Sequence, residues 1–515
     1  MRTHRFWEAE SDPRDNQLYR LPDDDAVALA GIVLVEAFTP STICRLLGAL
    51  PSLTQTPEEA ARFIQERRRA LGGAGFITLG PILPTHRSLF GLGVSDDELP
   101  EGVEAVWMRV YLSTPSLTLL VATFTFSPEA GDFSAVLRTT RATYAEGVTI
   151  RVRGRLGNMR SHLPWSRPAD QHVSVSYGVA DVRYQHQRAV DRRFRERTDS
   201  CACWLDSRAP GLFALKPSTD RPNARIVLTG QAEPFTPTSR QTWLGPAGLA
   251  GPFYWTAPDL PHWKVEVTPL AITAAVRRSD AYTPQDSTTD STSNWHVSQR
   301  FHDDLSALIS LWGMSAVLVD FDERLAKLRD DASRRRSLRH PTRGARAVND
   351  FLLSTAFDFS AVATDVLRLT KDGWAYQREV PRFTESSPIR RSQHDTSGRA
   401  GEPQPDATPE GTGSAQGEPH ADAVAGNAVG PAGFTNDESL GSSILGFHRV
   451  ASELLLDDTR LTRDSLTASA QLRGLISNTR LQWAVVVLAI IAIAISIVAI
   501  SHGGAASATD LHVPK

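Results

Sequence analysis

Hydrophobic and polar positions change period along the chain, and the changes outline the elements. Residues 26–38, AVALAGIVLVEAF, form an unbroken apolar and β-branched run bounded by Pro22 and Pro40, which predicts a strand. PEEAARFIQERRRALGG follows, with Pro57 in a first helical turn and Gly72-Gly73 as a stop, which predicts a helix. The runs VEAVWMRVYL and LTLLVATFTF flank a break at Pro115 and predict an antiparallel hairpin of two long strands. Further strands are expected at 150–155, 211–215, 225–229 and 263–267. Strands and helices do not alternate regularly, so residues 18–275 are expected to form a mixed α+β domain.

Beyond a loop at 276–297 the period becomes helical. Phe301, Leu305, Leu308 and Trp312 step by three and four, as do Leu318, Phe321, Leu325 and Leu328. Val348, Leu352, Phe359, Val362, Val366 and Leu369 repeat the rhythm, so 298–384 are expected to form an antiparallel helical hairpin broken near Pro341 and Gly344. Residues 385–437 are dense in Gly, Pro, Ser, Asp and Glu, with almost no large apolar side chain. Such a stretch buries too little surface to offset its ordering entropy and is expected to be a disordered linker. From 438 to 480 a stalk helix is expected, because Leu440, Phe447, Leu454, Leu461, Ala468 and Leu475 recur every seven residues. Asp458 and Ser465 interrupt the second seam, so the stalk is expected to pack on the hairpin of its own chain or to assemble copies of the chain.

WAVVVLAIIAIAISIVAI, residues 483–500, has Ser496 as its one polar side chain after Trp483. With Leu481 and Gln482 the segment is about 30 Å of helix, the thickness of a bilayer core, and a transmembrane helix is expected over 481–501. Arg460, Arg463, Arg473 and Arg480 precede it and only Lys515 follows. The positive-inside rule then expects a cytoplasmic N-terminal part and a short external tail at 502–515. The first 17 residues, which have no long apolar run, are expected to form a tail and not a signal peptide. The expected whole is an α+β cytoplasmic domain followed by a helical hairpin, disordered linker, stalk helix and one C-terminal transmembrane helix. The expected location is the inner (plasma) membrane, and the lipid bilayer is the first expected partner.

Composition changes the picture in one respect. Of 55 basic residues only five are lysine, the codon signature of a GC-rich bacterial genome. Net charge is −3 overall, yet residues 138–197 hold thirteen arginines and five acids, a local charge of +8. Arg151, Arg153 and Arg155 alternate and would share one face of a strand, where guanidinium forks suit phosphate oxygens. With Arg192 and Arg193 they are the candidate site for a phosphate-bearing ligand. Arg334, Arg335, Arg336 and Arg339 form a second run and are candidates for contact with an anionic membrane surface. In an arginine-rich chain the competing reading is a solvated face paired with local acids.

Three cysteines, Cys44, Cys201 and Cys203, fit reduced thiols in a cytoplasmic domain. Cys201-Ala-Cys203 lacks a second pair, with His186 nearby in sequence, so no metal site is expected. Gly72-Gly73-Ala74-Gly75 lacks the Lys-Ser/Thr of a phosphate loop. His302-Asp303-Asp304 reads as the charged first turn of a helix. No HExxH, GxSxG, Walker A or kinase signature is present, so no catalytic residue or cofactor is indicated and enzymatic activity is not argued.

The layout of a long cytoplasmic domain, helical stalk and C-terminal membrane segment loosely resembles CorA-type magnesium channels. It departs from them in having one expected span and no Gly-Met-Asn loop, since Gly313-Met314-Ser315 lies within a helical stretch. The expected function is a single-pass anchored module that binds or senses a ligand. The alternatives are a subunit of a homo-oligomeric channel or assembly, and an enzyme or binder acting on a phosphate-bearing ligand.

Overall fold

The computed structural model describes residues 18–503 except 71–74, 86–90, 96–97, 140–147, 152–172, 177–181, 215, 218–219, 236–241, 251–253, 282–293, 336–354, 372–382 and 387–438. The disordered linker expected from the sequence thus lies outside the described residues apart from Glu385 and Ser386, which belong to a strand.

β1 (Val27–Phe38) is the strand expected from the apolar run, and all twelve of its residues are buried. Continuous burial requires neighbours on both edges and a layer on both faces. The edges are β5 (Leu117–Phe126) and β8 (Asn223–Thr229), each antiparallel to β1. β4 (Val103–Thr114) closes the expected hairpin with β5. β2 (Gly75–Pro84) and β3 (Leu92–Val94) complete that edge. On the other side lie β11 (Ala271–Arg277), β10 (Leu260–Val267), β9 (Tyr254–Ala257) and β12 (Thr384–Ser386). The result is a ten-stranded mixed sheet of order β12-β9-β10-β11-β8-β1-β5-β4-β2-β3, parallel only at β8–β11 and β2–β3. β6 (Val148–Arg151) and β7 (Val173–Ser176) pair separately; β6 is shorter than the strand expected at 150–155. Of the strand expected at 211–215, residues 211–214 are described and form none; Leu212 N–H donates to Ala37 O and Phe213 N–H to Glu36 instead.

Side-chain alternation decides which helices cover which face. Ile32, Leu34 and Phe38 of β1, Leu120, Ala122 and Phe124 of β5, and Val106, Met108 and Val110 of β4 form one core. α1 (Ile43–Ala49), α2 (Pro57–Arg69) and α3 (Val182–Arg208) contribute Leu46, Ile64, Phe194, Cys201 and Leu205 to it. The opposite face carries Trp107, Arg109, Thr123 and Val35, and meets α4 (Asn294–Asp304) and α5 (Ser306–Arg335). Trp107 lies 4.6 Å from Trp295 between ring centroids. A Cβ on Gly313 would fall 2.9 Å from Leu119 and 3.2 Å from Val35, so α5 crosses β1 and β5 where only glycine fits without adjustment. α3 is the main element that hydropathy did not announce, since its 27 residues are mostly polar and only one narrow stripe is buried.

α6 (Ala356–Lys371) and α7 (Leu440–Gly503) complete the described helices of seven residues or more. One compact unit comprises Met1–Val319 and Asp365–Ala451; a second comprises Asp320–Thr364 and Ser452–Lys515. In the second, Phe321 and Phe359 stack at 4.2 Å and Arg329 pairs with Asp458 at 2.8 Å. The bend expected at Pro341 and Gly344 lies outside the described residues. A different bend, of 71°, separates α4 from α5.

α7 is one continuous helix through both the expected stalk and the expected span, with no break between them. Among the described residues no single helix is long and apolar enough to cross a membrane, and side chains of the expected span are described only between Gln482 and Ile493. The bent pair α4–α5 passes on length and composition, but it is packed as core, with Phe301, Leu305, Leu308 and Ile309 each fully buried.

Trp312 is 1 % exposed, and its indole N–H donates to Thr268 O at 3.0 Å. Trp312→Ala is expected to lower stability by about 3–5 kcal/mol, with Trp312→Phe costing less, as read by chemical denaturation.

Candidate functional site

Of the arginines singled out by the sequence as candidate sites, only Arg192 and Arg193 have described side chains. Arg151 ends β6 with no side chain described, and Arg153 and Arg155 lie outside the described residues. Arg192 and Arg193 are exposed on α3, where neighbouring helix positions point about 100° apart. Arg193 donates to Asp132 O at 3.2 Å. Others of the group are held locally: Arg138 on Asp25 O at 2.7 Å, Arg197 on Glu101 O at 2.7 Å, Arg183 over the ring of Tyr19. Arg334 and Arg335 end α5 without described side chains, and Arg336 and Arg339 lie outside the described residues. Cys201 and Cys203 sit two positions apart on α3, one buried and one exposed, and so face away from each other. Burial pushes the Cys201 thiol well up, making it a poor nucleophile. His186, fifteen positions earlier on the same helix, bonds Thr139 O at 2.7 Å. Among the described residues no group of three His, Cys, Asp or Glu side chains could hold a metal ion.

The densest constellation of ionisable groups is at His302-Asp303-Asp304, and it corrects the sequence reading. These residues end α4 rather than beginning a helix. They also lie just ahead of Ser306, where α5 begins, so the two helix dipoles act on them in opposite senses. β4 supplies Arg109, whose Nη2 meets Asp303 Oδ1 at 2.9 Å and whose Nη1 donates to His302 O at 3.3 Å. Its Nε donates to Thr78 at 3.2 Å, and its plane lies 4.7 Å over the Phe76 ring. Burial pushes the Tyr111 hydroxyl up against the opposing pull of Arg109.

His302 is buried, with Nδ1 3.2 Å from Thr123 Oγ1 and Nε2 without a hydrogen-bond partner among the described residues. Burial, reinforced by Arg109, lowers its pKa to about 3, so the imidazole stays neutral. Asp304 accepts from Trp263 Nε1 at 2.9 Å and from His262 Nε2 at 3.2 Å, with Arg300 Nε at 3.5 Å. Burial alone would raise the Asp304 carboxyl, but hydrogen bonds from His262 and Trp263 and the charges of His262 and Arg300 hold it below the usual carboxylate range. An aspartate orienting a histidine is an arrangement able to exchange a proton. No nucleophile or convergent anion-binding group accompanies it among the described contacts.

A second buried network joins β1 to the segment after α3. Glu36, completely buried, accepts from Phe213 N–H at 2.7 Å, Ala37 N–H at 3.0 Å and Arg221 Nη2 at 3.2 Å. Arg221 also pairs with Asp206 and donates to Phe213 O at 2.9 Å. A Cβ on Gly211 would fall 2.6 Å from Ala37 O and 2.7 Å from Glu36, so the clamp closes only around glycine. Burial raises the Glu36 pKa to about 7 against the bonds from Phe213, Ala37 and Arg221. Sequence reasoning missed this network because its members are scattered between positions 36 and 221; the one available signal was a lone acid inside an apolar strand.

Two pH dependences follow with opposite sign. Glu36 is raised in the folded chain, so its stabilising contribution is complete below about pH 4.5 and is lost as pH rises through about 7. Glu36→Gln is expected to flatten that part of a melting-temperature profile. His302 is lowered, so its contribution is present above about pH 6.5 and falls away as pH drops toward 3. His302→Gln is expected to remove that acid limb in the same assay. The chain matches no protein-family model, no curated protein and no solved structure, so the functional reading rests on the residues themselves.

Proposed function

We propose that this chain is a single-pass membrane-anchored protein whose α+β module lies on the cytoplasmic side and binds or senses a ligand there. The supporting observation is the far part of α7. Trp483, Val485, Val486, Val487, Leu488, Ile490, Ile491 and Ile493 are each between 47 % and 66 % exposed. At 3.6 residues per turn these positions encircle the helix, which is therefore apolar on every side and uncovered on every side. Water does not accommodate such a helix, whereas hydrocarbon does, because all its backbone groups are bonded within the helix. Trp483 falls where an aromatic ring would sit at the headgroup boundary. The arginines before the segment and the single lysine after it favour retention of the module on the cytoplasmic side.

The module contributes a scaffold more than a reaction centre. Its charged groups are engaged in structural pairs such as Arg109–Asp303 and Arg221–Glu36. Binding is therefore the reading preferred over catalysis.

Two experiments test the anchor. The full chain is expected to stay with membranes through alkaline carbonate, and Val487→Lys/Ile491→Lys to be released, each lysine at mid-span opposing insertion by about 2.5–3.5 kcal/mol. In intact cells, a cysteine replacing Ser507 is expected to react with an impermeant thiol reagent, while exposed Cys44 and Cys203 react only after permeabilisation. Carbonate extraction of the wild-type chain would rule out the anchor, and labelling of Cys203 in intact cells would reverse its orientation.

A further inference from the structure

The near half of α7 packs with its polar side inward. Beside Gly441, its buried positions are Leu440, Ile444, His448, Ser452, Leu455, Thr459 and Thr462, four of these polar. His448 is completely buried, and its Nε2 lies 2.8 Å from Ser315 Oγ of α5. The apolar residues of the seven-residue repeat are turned out instead. Phe447 is 41 % exposed, Leu454 62 % and Leu461 65 %, and Val450 between them is 55 %. On the helix this stripe sits roughly 120° from the buried one. The His448–Ser315 contact is of the kind expected for a stalk packed on the hairpin of its own chain, but it uses another stripe: apart from Leu440, the described part of the predicted seam is exposed.

We propose that α7 pairs in parallel with α7 of a second copy of this chain through the stripe of Phe447, Val450, Leu454 and Leu461. The step of seven continues in the sequence through Ala468 and Leu475 toward the apolar segment. Helices packed straight against a globular body have no need of a strict seven-residue step, because 3.6 residues per turn carries it off the contact within a few turns. Two helices supercoiled on each other keep it in register. The membrane reading supplies the direction: two copies anchored at the same end are parallel and level, so each residue meets its own equivalent. Confinement to a bilayer also raises their effective concentration. The pairing is a weak one by construction. Asp457 and Asp464 occupy the places three residues after Leu454 and Leu461, where like charges from two copies would face each other. Reversible association, rather than a permanent dimer, is the consequence.

The test uses the full chain reconstituted in vesicles of neutral lipid, with Cys44→Ser and Cys203→Ser as background. Leu454→Cys in that background is expected to give an intermolecular cross-link with a short bismaleimide. Arg460→Cys, exposed and about 110° around the helix, is expected to give none. Single-molecule photobleaching of the chain in the same vesicles, with a fluorophore at its N-terminus, is expected to show two-step traces. Leu454→Asp/Leu461→Asp is expected to shift them to one step, and Asp457→Leu/Asp464→Leu to increase the two-step fraction. Both pairs of positions carry exposed or half-exposed side chains, and an unchanged circular-dichroism melt shows that the fold is intact. One-step traces for the wild type at every surface density overturn the proposal. So do two-step traces that survive Leu454→Asp/Leu461→Asp, which would place the contact on another face or in the apolar segment. Flotation is scored on the same samples, so a chain that fails to enter the vesicles counts against the anchor, and its cross-linking in solution still decides the pairing.

Discussion

β1 is buried along its whole length, on both faces and both edges, and most of the unit containing the sheet is arranged around that condition. A strand with no polar face must be covered twice, so helices stand on both sides of the sheet: α1, α2 and α3 over one face, α4 and the start of α5 over the other. Its edges demand long partners, which is why the β4–β5 hairpin and β8 run beside it. Even the exception conforms, because the one charge in the strand, Glu36, is taken up by Arg221 and by two backbone N–H groups.

The two ionic networks serve the same constraint from opposite faces. Glu36 and Arg221 tie the segment after α3 to β1, while Arg109 reaches from β4 to the acidic end of α4. Removing one member of either pair would leave its partner short of a counter-charge, most severely for the fully enclosed Glu36–Arg221 pair. The opposed titrations of Glu36 and His302 confine the most favourable pH to a band between the acid limb of the histidine and the neutral limb of the glutamate.

α7 joins requirements that belong to different surroundings. Its first turns place a histidine and a serine in the protein interior, its middle turns an apolar stripe outward, and its far part apolar side chains on all sides. On the readings proposed above, lipid around the last and a second helix along the middle would satisfy these requirements on one uninterrupted rod.

Much was legible in the sequence where one local rule acts alone. The apolar run of β1, the β4–β5 hairpin, the Pro57 start of α2 and the encircling apolar segment follow from hydropathy and turn residues. α3 was not legible, because a 27-residue helix covering a sheet on one narrow side has a mostly polar sequence. β11 escaped notice because its parallel pairing with β8 spans some fifty residues of chain. The surroundings of His302-Asp303-Asp304 were not legible either, because Arg109, which pairs with Asp303, lies nearly two hundred residues away in sequence. The stalk makes the same point: a seven-residue period determines that one stripe is apolar, whereas which stripe turns inward is decided by the shape and hydrogen-bonding groups of what it meets, here Ser315 receiving His448. The sequence by itself determined where chain enters apolar surroundings, since that depends on each residue's own transfer energy. Which charges meet, and which face of a helix is left for a partner, was decided only in the tertiary structure, because those depend on distances between residues that the chain order does not contain.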